Sequence, residues 1–183
     1  MEVQTTPIDG LLLVRPKVFS DERGAFSETW NQHAFDEAVG EPVRFVQANE
    51  SCSKQGVLRG LHFQAPPHAQ GKLVRVARGR VLDVAVDLRA GSPTYGKHHA
   101  AVLTSENRWQ FWVPPGFAHG FLTLEDDTLF HYLCTERYHP QSEGALRWDD
   151  PTLGIEWGVE SPSVSDKDAA AKDFASFETP FAP

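Results

Sequence analysis

Residues 81–88 read Val-Leu-Asp-Val-Ala-Val-Asp-Leu, and this stretch decides the class of fold. Every even-numbered position holds Leu or Val, whereas the odd-numbered positions include Asp83 and Asp87. An alternation with a period of two predicts a β-strand whose two faces differ in polarity. A second strand is predicted over Lys72–Val76, and Gly79 lies between the two where a hairpin turn would need it.

Further short strands follow, and turn residues separate them. Arg108–Val113 is predicted to end at Pro114-Pro115-Gly116, because proline cannot donate a hydrogen bond to a sheet. Phe117–Leu124 and Thr128–Cys134 come next, joined by an acidic turn at Asp126-Asp127. Many short strands with Gly and Pro turns predict an all-β protein, and the period alone leaves sandwich and barrel both open.

Helix patterns are few and short. Asn31–Val39 is predicted to form two turns that end at Gly40 and Pro42. A second short helix is predicted within Asp166–Phe174, where three consecutive alanines favour it by propensity. We therefore expect helices only at the periphery of the β-structure.

Length and charge exclude some classes of function. A chain of 183 residues suits one domain with a sizeable core. Its 17 Lys and Arg against 25 Asp and Glu give a formal net charge of −8, which argues against a nucleic-acid binder but permits a locally positive pocket for an anion. No apolar run approaches the roughly 20 residues that span a bilayer, and no signal peptide is visible. We expect a cytoplasmic protein that contacts no membrane.

Gly56–Gln64 is the densest stretch of chemically capable residues, because it sets Arg59 and His62 among apolar side chains. If it is a strand, His62 faces one side and Arg59 the other, unless a bulge turns Arg59 round. Taken alone, this segment favours a hydrogen-bonded core histidine over a functional one.

A second cluster, Pro114–Phe121, places His119 among glycines that would let a ligand approach closely, although a loop histidine explains it equally well. The two clusters, with strands between them, resemble the cupin barrel, in which many members bind a metal through histidines and a glutamate. Here the position two residues after His62 is Gln64, and the place of the glutamate offers only Gln70 and Lys72. We expect no metal.

Two further polar residues are candidates. Tyr132 shares a strand face with Phe130 and Cys134, predicted to be the inner face, where a core tyrosine is common. Asp168 follows Ser165 by three residues, as in a capping box at the start of a helix. Neither residue stands out as functional without further information.

In their order along the chain, these segments are similar to the dTDP-4-dehydrorhamnose 3,5-epimerases. The similarity runs from near the N-terminus to about Phe174 and is carried by residues 21–28, 47–51, 56–64, 72–76, 83–89, 91–96, 115–121, 132, 138–140 and 165–168. It implies a metal-free, cofactor-free, cupin-like jelly-roll barrel in a single domain of residues 1–183. That domain would have a short extended N-terminal arm, a barrel core at about 45–160 and a helical or coil tail.

The resemblance also implies an activity and its residues. The enzyme would invert carbons 3 and 5 of dTDP-4-dehydro-6-deoxyglucose to give dTDP-4-dehydro-L-rhamnose. His62 would be the base and Asp168 its partner, Tyr132 the acid on the opposite face of the sugar, and Lys72 the neighbour of the ketone oxygen.

The resemblance implies a homodimer as well, in which the segment with Arg23, Phe26 and Glu28 reaches the neighbouring site. Tyr138 would stack on thymine. The substrate-binding residues implied are Arg23, Phe26, Glu28, Gln47, Asn49, Arg59, His119, Tyr138, Glu143 and Lys167.

The chemistry of the residues agrees with these roles. Both carbons flank the ketone at carbon 4, so removal of either proton gives an enolate, and an imidazole can accept a proton near neutral pH. Three alternatives stay open: an epimerase of a single carbon in a related deoxysugar nucleotide, a sugar-nucleotide binding module without activity and, last, a metal-dependent cupin oxygenase or isomerase. His62, Lys72, Tyr132 and Asp168 together argue against the module, since binding alone needs no such set.

Overall fold

A computed structural model describes residues 1–181, and most of its regular structure is β-strand. Thirteen strands and two α-helices follow one another along the chain: β1 (Glu2–Thr5), β2 (Leu12–Arg15), β3 (Val18–Asp21), β4 (Gly24–Ser27), α1 (Gln32–Val39), β5 (Gln47–Ser53), β6 (Leu58–Gln64), β7 (Lys72–Arg78), β8 (Arg80–Asp87), β9 (His98–Thr104), β10 (Gln110–Val113), β11 (Phe117–Thr123), β12 (Thr128–Cys134), β13 (Glu143–Ala145) and α2 (Asp166–Ala169). Short 3₁₀ turns occupy Pro140–Ser142 and Phe174–Ser176.

The strands form two antiparallel sheets that face each other. The larger sheet has the order β1-β2-β10-β7-β12-β5, and the smaller has the order β13-β6-β11-β8-β9. A separate hairpin is made by β3 and β4. The all-β prediction is therefore confirmed. The period of two left sandwich and barrel both open, and the structure shows a jelly roll made of two facing sheets.

The main core lies between the two sheets. It is made by inward-facing apolar side chains such as Val74 on β7, Ala85 on β8, Phe111 on β10 and Phe130 on β12, all 1% exposed or less. Burying a side chain of the size of Val74 or Phe111 stabilises the fold by about 1.5–3 kcal/mol. Tyr132 packs against this cluster, so the predicted inner face of β12 is confirmed.

Each sheet is also covered on its outer face. The C-terminal segment packs Leu146, Trp157 and neighbouring side chains onto the back of the smaller sheet. Helix α1 places the fully buried Phe35 on the back of the larger sheet, against Trp112. Because the smaller sheet is covered on both faces, β11 is buried along its whole length. A strand in this position has a nearly continuous apolar sequence.

The predicted hairpin at Gly79 is wrong. Strands β7 and β8 do not pair with each other: β7 pairs with β10 and β12 in the larger sheet, and β8 pairs with β9 and β11 in the smaller one. Gly79 has a left-handed φ of +85° and carries the chain from one sheet to the other. Period-two patterning predicts the strands but carries no information on which sheet each joins.

The boundaries of two predicted elements also change. The strand predicted from Arg108 begins at Gln110, because Arg108 adopts a φ of +56° and the side-chain oxygen of Asn107 accepts a hydrogen bond from the backbone of Trp109. The predicted helix within Asp166–Phe174 is only one turn, since Lys172 leaves it to bridge to Leu146.

Helix α1 is confirmed with both of its local signals. The side chain of Asn31 accepts a hydrogen bond from the backbone of Ala34, and Gly40 ends the helix in the left-handed conformation. Within residues 1–181 no helix has the length and apolar character needed to cross a membrane.

The sheet crossing at Gly79 gives a test of the fold. A Cβ atom on Gly79 would lie 2.3 Å from Oγ1 of the buried Thr128, whereas a Cβ on Gly40 would meet nothing within 4 Å. Gly40→Ala should cost about 1 kcal/mol for the left-handed backbone alone. Gly79→Ala should cost about 2–4 kcal/mol, because it adds overpacking to that term. Urea unfolding of both variants measures the difference, and equal midpoints would contradict it.

Candidate active site

A cavity of about 380 Å³ opens between the two sheets and holds most of the predicted polar residues. Strands β5, β6, β7, β11 and β12 contribute to its walls, and the segment 163–168 closes one side. It is lined by Ser51, Val57, Leu58, Arg59, His62, Lys72, His119, Phe121, Phe130, Tyr132, Ser163, Val164, Ser165, Lys167 and Asp168.

A β-bulge brings Arg59 and His62 to the same side of β6. His119 pairs with His62 and Phe121 pairs with Arg59, so β6 has one more residue than β11 over this interval. In a regular strand, residues three apart face opposite sides. Because of the extra residue, Arg59 and His62 face the same side, and both side chains line the cavity. The sequence pattern alone allowed this arrangement only if such a bulge were present.

His62 is held by Asp168. The ring nitrogen Nε2 of His62 lies 2.5 Å from Oδ1 of Asp168, whose side chain is only 4% exposed. Burial alone would raise the pKa of Asp168, but hydrogen bonds from His62 and from the backbone N–H of Gly60 hold it below its ordinary value. An ionised carboxylate accepts the Nε2 proton, and this leaves Nδ1 of His62 free to act as a base.

The position of Asp168 follows from a local helix signal. Ser165 caps α2 by accepting a hydrogen bond from the backbone of Asp168 at 3.1 Å, as the capping-box pattern predicts. The parallel bridge between Val57 and Ser163 fixes the approach of this segment to β6. Asp168 therefore takes part in the helix cap through its backbone and contacts His62 through its side chain.

Tyr132 lines the same cavity as His62. It pairs with Asn49 on one side and Val74 on the other, and its ring packs near Phe130. Burial raises the pKa of the Tyr132 phenol above its ordinary value near 10, with smaller opposing contributions from Arg59 and Asn49. The phenol therefore carries its proton at neutral pH.

Lys72 brings an ammonium group to the cavity from the first position of β7. Burial lowers the pKa of Lys72, while the negative charge of neighbouring acidic groups opposes this shift. An ammonium in so little water interacts strongly with any negative charge that develops beside it.

A second groove of about 410 Å³ continues from the cavity and shares His62, Lys72 and Tyr132 with it. It contains further predicted binding residues, namely Gln47, Asn49, Tyr138 and Glu143. Most of them are tied together by hydrogen bonds: Gln47 Oε1 accepts from the backbone of Tyr138 at 3.0 Å, and the Tyr138 hydroxyl donates to Glu143 at 2.8 Å. Glu143 also forms an ion pair with Lys167.

Three predicted residues lie away from the cavity. Arg23 pairs with Asp21 in the β3–β4 hairpin at 85% side-chain exposure, Phe26 is 69% exposed, and Glu28 is exposed just after β4. Within one chain, these three side chains do not line the space around His62.

Some residues of the site were missed at the level of sequence. Ser51 lines the cavity, and the period of two along β5 could have found it, because it follows Gln47 and Asn49 on the same face. Ser163 carried no such signal, because its approach depends on contacts made across the fold. Asp83, which bonds to His119, was also missed. Over the described residues 1–181, no group of three or more His, Cys, Asp and Glu side chains is arranged to hold a metal.

The fold and the site together define a jelly-roll protein whose cavity holds side chains suited to acid–base chemistry. A model of the dTDP-4-dehydrorhamnose 3,5-epimerase family matches residues 5–176 of this chain. The chain belongs to that family and is an isomerase with a cupin-like fold, as its sequence predicted.

Individual relatives agree with this assignment. The dTDP-4-dehydrorhamnose 3,5-epimerase of Shigella flexneri is 51% identical over 174 residues, which cover 95% of this chain and 96% of the relative. The crystal structure of the 3,5-epimerase from Legionella pneumophila in complex with dTDP-4-keto-L-rhamnose superposes with a TM-score of 0.94 at 46% identity, covering 100% of this chain and 97% of that one. A 3'-monoepimerase from Streptomyces bikiniensis in complex with dTDP-quinovose gives a TM-score of 0.88 at 35% identity, with 93% and 86% covered.

The protonation of Tyr132 can be measured directly, because the chain has only three tyrosines. The absorbance of tyrosinate is followed against pH in the wild type and in Tyr132→Phe, and the difference isolates the phenol of Tyr132. We expect this component to titrate above pH 10, since burial disfavours the anion. Circular dichroism at each pH checks that the fold persists. A component that titrates below pH 10 would contradict the assigned environment.

Proposed function

We propose that this chain inverts carbons 3 and 5 of dTDP-4-dehydro-6-deoxyglucose and so forms dTDP-4-dehydro-L-rhamnose. The observation that carries the proposal is that His62 with its partner Asp168, the phenol of Tyr132 and the ammonium of Lys72 share one cavity. Membership of the epimerase family supports the same reaction.

In the first step, Nδ1 of His62 removes a proton from the carbon beside the ketone. The carboxylate of Asp168 stabilises the imidazolium that forms, since it already accepts the Nε2 proton. The electrons move to the ketone oxygen, and Lys72 supplies the positive charge that stabilises the enolate. A preorganised donor of this kind contributes about 3 kcal/mol or more to lowering the barrier.

In the second step, Tyr132 donates its proton to the opposite face of the same carbon. Its high pKa supports this role, because the proton is still on the phenol when the enolate forms. The cost is a buried tyrosinate, which the nearby Arg59 charge stabilises in part. Inversion results because the base and the acid act from opposite sides of the sugar ring.

The binding of an acidic substrate is supported by local charge. Arg59, Lys72 and Lys167 all line the cavity of a chain whose formal net charge is −8. Ser53 is 5% exposed and accepts from Nε and Nη2 of Arg59, both at 3.3 Å, so the guanidinium is held in place to contact a diphosphate. The groove with Gln47, Asn49 and Tyr138 has the polar and aromatic groups that a thymidine needs.

Solvent exchange tests the reaction. The 4-keto sugar nucleotide is incubated with the protein in heavy water, and proton NMR follows the signals of the hydrogens bound to carbons 3 and 5. We expect deuterium at both carbons, because each lies beside the ketone. Exchange at one carbon would instead favour a single-carbon epimerase, of which the Streptomyces bikiniensis relative is an example. Exchange at neither carbon would refute the proposal.

Two variants separate the roles in that experiment. His62→Asn should slow exchange by about 10²–10⁴-fold while the affinity for dTDP stays within a few-fold of wild type, since only the base is lost. Tyr132→Phe should still exchange deuterium, because His62 can return a solvent-derived proton to the same face. It should give little inversion.

We also propose that the protein is a homodimer in which the β3–β4 hairpin of one chain completes the site of the other. The hairpin pairs with no other strand of residues 1–181 and exposes Phe19 at 53% and Phe26 at 69%. A two-stranded hairpin with exposed aromatic rings is unstable in water unless it packs against something. The family resemblance assigns Arg23, Phe26 and Glu28 to the neighbouring site.

Mixing inactive variants tests the shared site. The double variant R23A/F26A keeps its base, and His62→Asn keeps its hairpin. After subunit exchange at equal concentrations, half of the dimers are mixed and each has one intact site, so about a quarter of wild-type activity should return. If the hairpin served its own chain, no mixed site would be intact and no activity would return.

A further inference from the structure

A second histidine–carboxylate pair lies in the same cavity. His119 Nε2 is 2.9 Å from Oδ1 of Asp83, and the two side chains are 7% and 0% exposed. Strands β11 and β8 set this contact, because Phe121 and Asp83 are direct partners and His119 is two residues from Phe121 on the same face. His119 lines the cavity and Asp83 lies behind it.

The other oxygen of Asp83 is not satisfied by this pair. Within residues 1–181, the buried Oδ2 has no hydrogen-bond partner. A buried carboxylate oxygen without a partner is costly, so it requires an explanation. The ammonium of Lys72 also lacks a partner of opposite charge. It lines the same cavity but forms no ion pair with the described residues.

Four titratable groups lie next to Lys72: Cys134 is its cross-strand partner on β12, and Tyr132, His62 and Glu143 line the same groove. The charge of Asp83 acts on Lys72 from behind His119, which lines the same cavity. The thiol of Cys134 and the phenol of Tyr132 are neutral at neutral pH, because burial raises the pKa of both. Two carboxylates therefore supply the negative charge that offsets the burial of Lys72. Glu143 is already bonded to Lys167 and Tyr138, whereas Asp83 keeps an oxygen unused.

We propose that Asp83 is a positioning residue that holds the ring of His119 through Oδ1 and keeps the ammonium of Lys72 charged through its remaining negative charge. Its importance for turnover rests on the proposed function, because the enolate needs the charge on Lys72. Its effect on Lys72 itself can be observed without any substrate.

The direct test follows the titration of Lys72 by NMR. The chain has six lysines, so protein labelled with ¹³C at lysine Cε gives few signals, and Lys72→Arg assigns the one of interest. Asp83→Asn retains an oxygen that can accept from His119 and removes only the charge. We expect its Lys72 signal to titrate at least about one pH unit lower than in wild type.

The matched control is Glu143→Gln, which removes the other carboxylate. It should shift the Lys72 titration less than Asp83→Asn does, because Lys167 already neutralises Glu143. An unchanged Lys72 titration in Asp83→Asn, or a larger shift in Glu143→Gln, would overturn the proposal. Neither outcome bears on whether the protein is an epimerase, so the two claims fail separately.

A second variant tests the contact with His119. Asp83→Ala removes the acceptor as well as the charge, so it should weaken dTDP binding about tenfold beyond Asp83→Asn by freeing the His119 ring. In the kinetics, the alkaline limb of kcat should move to lower pH in Asp83→Asn, an effect that loss of stability alone would not produce. Equal dTDP affinity in the two variants, or a fixed alkaline limb, would contradict the proposal.

Discussion

The close approach of β6 and β11 at Gly60 and Gly120 is the constraint on which the site depends. A Cβ atom on Gly60 would lie 2.5 Å from the Cα of Gly120, so a residue with a side chain does not fit there. The bulge at this point adds one residue to β6 and turns Arg59 to the face that carries His62. In a regular strand Arg59 would point to the back of the sheet, where the C-terminal segment packs apolar side chains.

The charges of the site differ in their burial. Arg59, Lys72 and Lys167 line the cavity, whereas the carboxylates of Asp83 and Asp168 are buried, at 0% and 4% side-chain exposure. Buried acids of this kind are stable because histidine rings donate to them. The result is a cavity that presents donors and positive charge although the whole chain is acidic, which is how such a protein can accept a phosphorylated ligand.

The C-terminal segment shows how local and distant constraints combine at one residue. Ser165 caps α2 through the backbone of Asp168, and that interaction spans three residues of sequence. The side chain of the same aspartate bonds to His62 across 106 residues. The bridge between Val57 and Ser163 makes the local cap and the distant contact compatible, because it fixes the segment beside β6 before α2 begins. A place in a helix cap and a side-chain contact with His62 are therefore compatible interpretations of Asp168.

The sequence by itself determined the features that depend on neighbouring residues. The period of two predicted strands and the inward direction of Tyr132, and local caps predicted α1 between Asn31 and Gly40. Matching motifs along the chain predicted the family. Only the tertiary structure decided that Gly79 joins two sheets, that a bulge turns Arg59 inward, and that Asp83 meets His119. The physical reason is that side-chain direction follows from the geometry of one strand, whereas sheet membership and register depend on which distant strands pair.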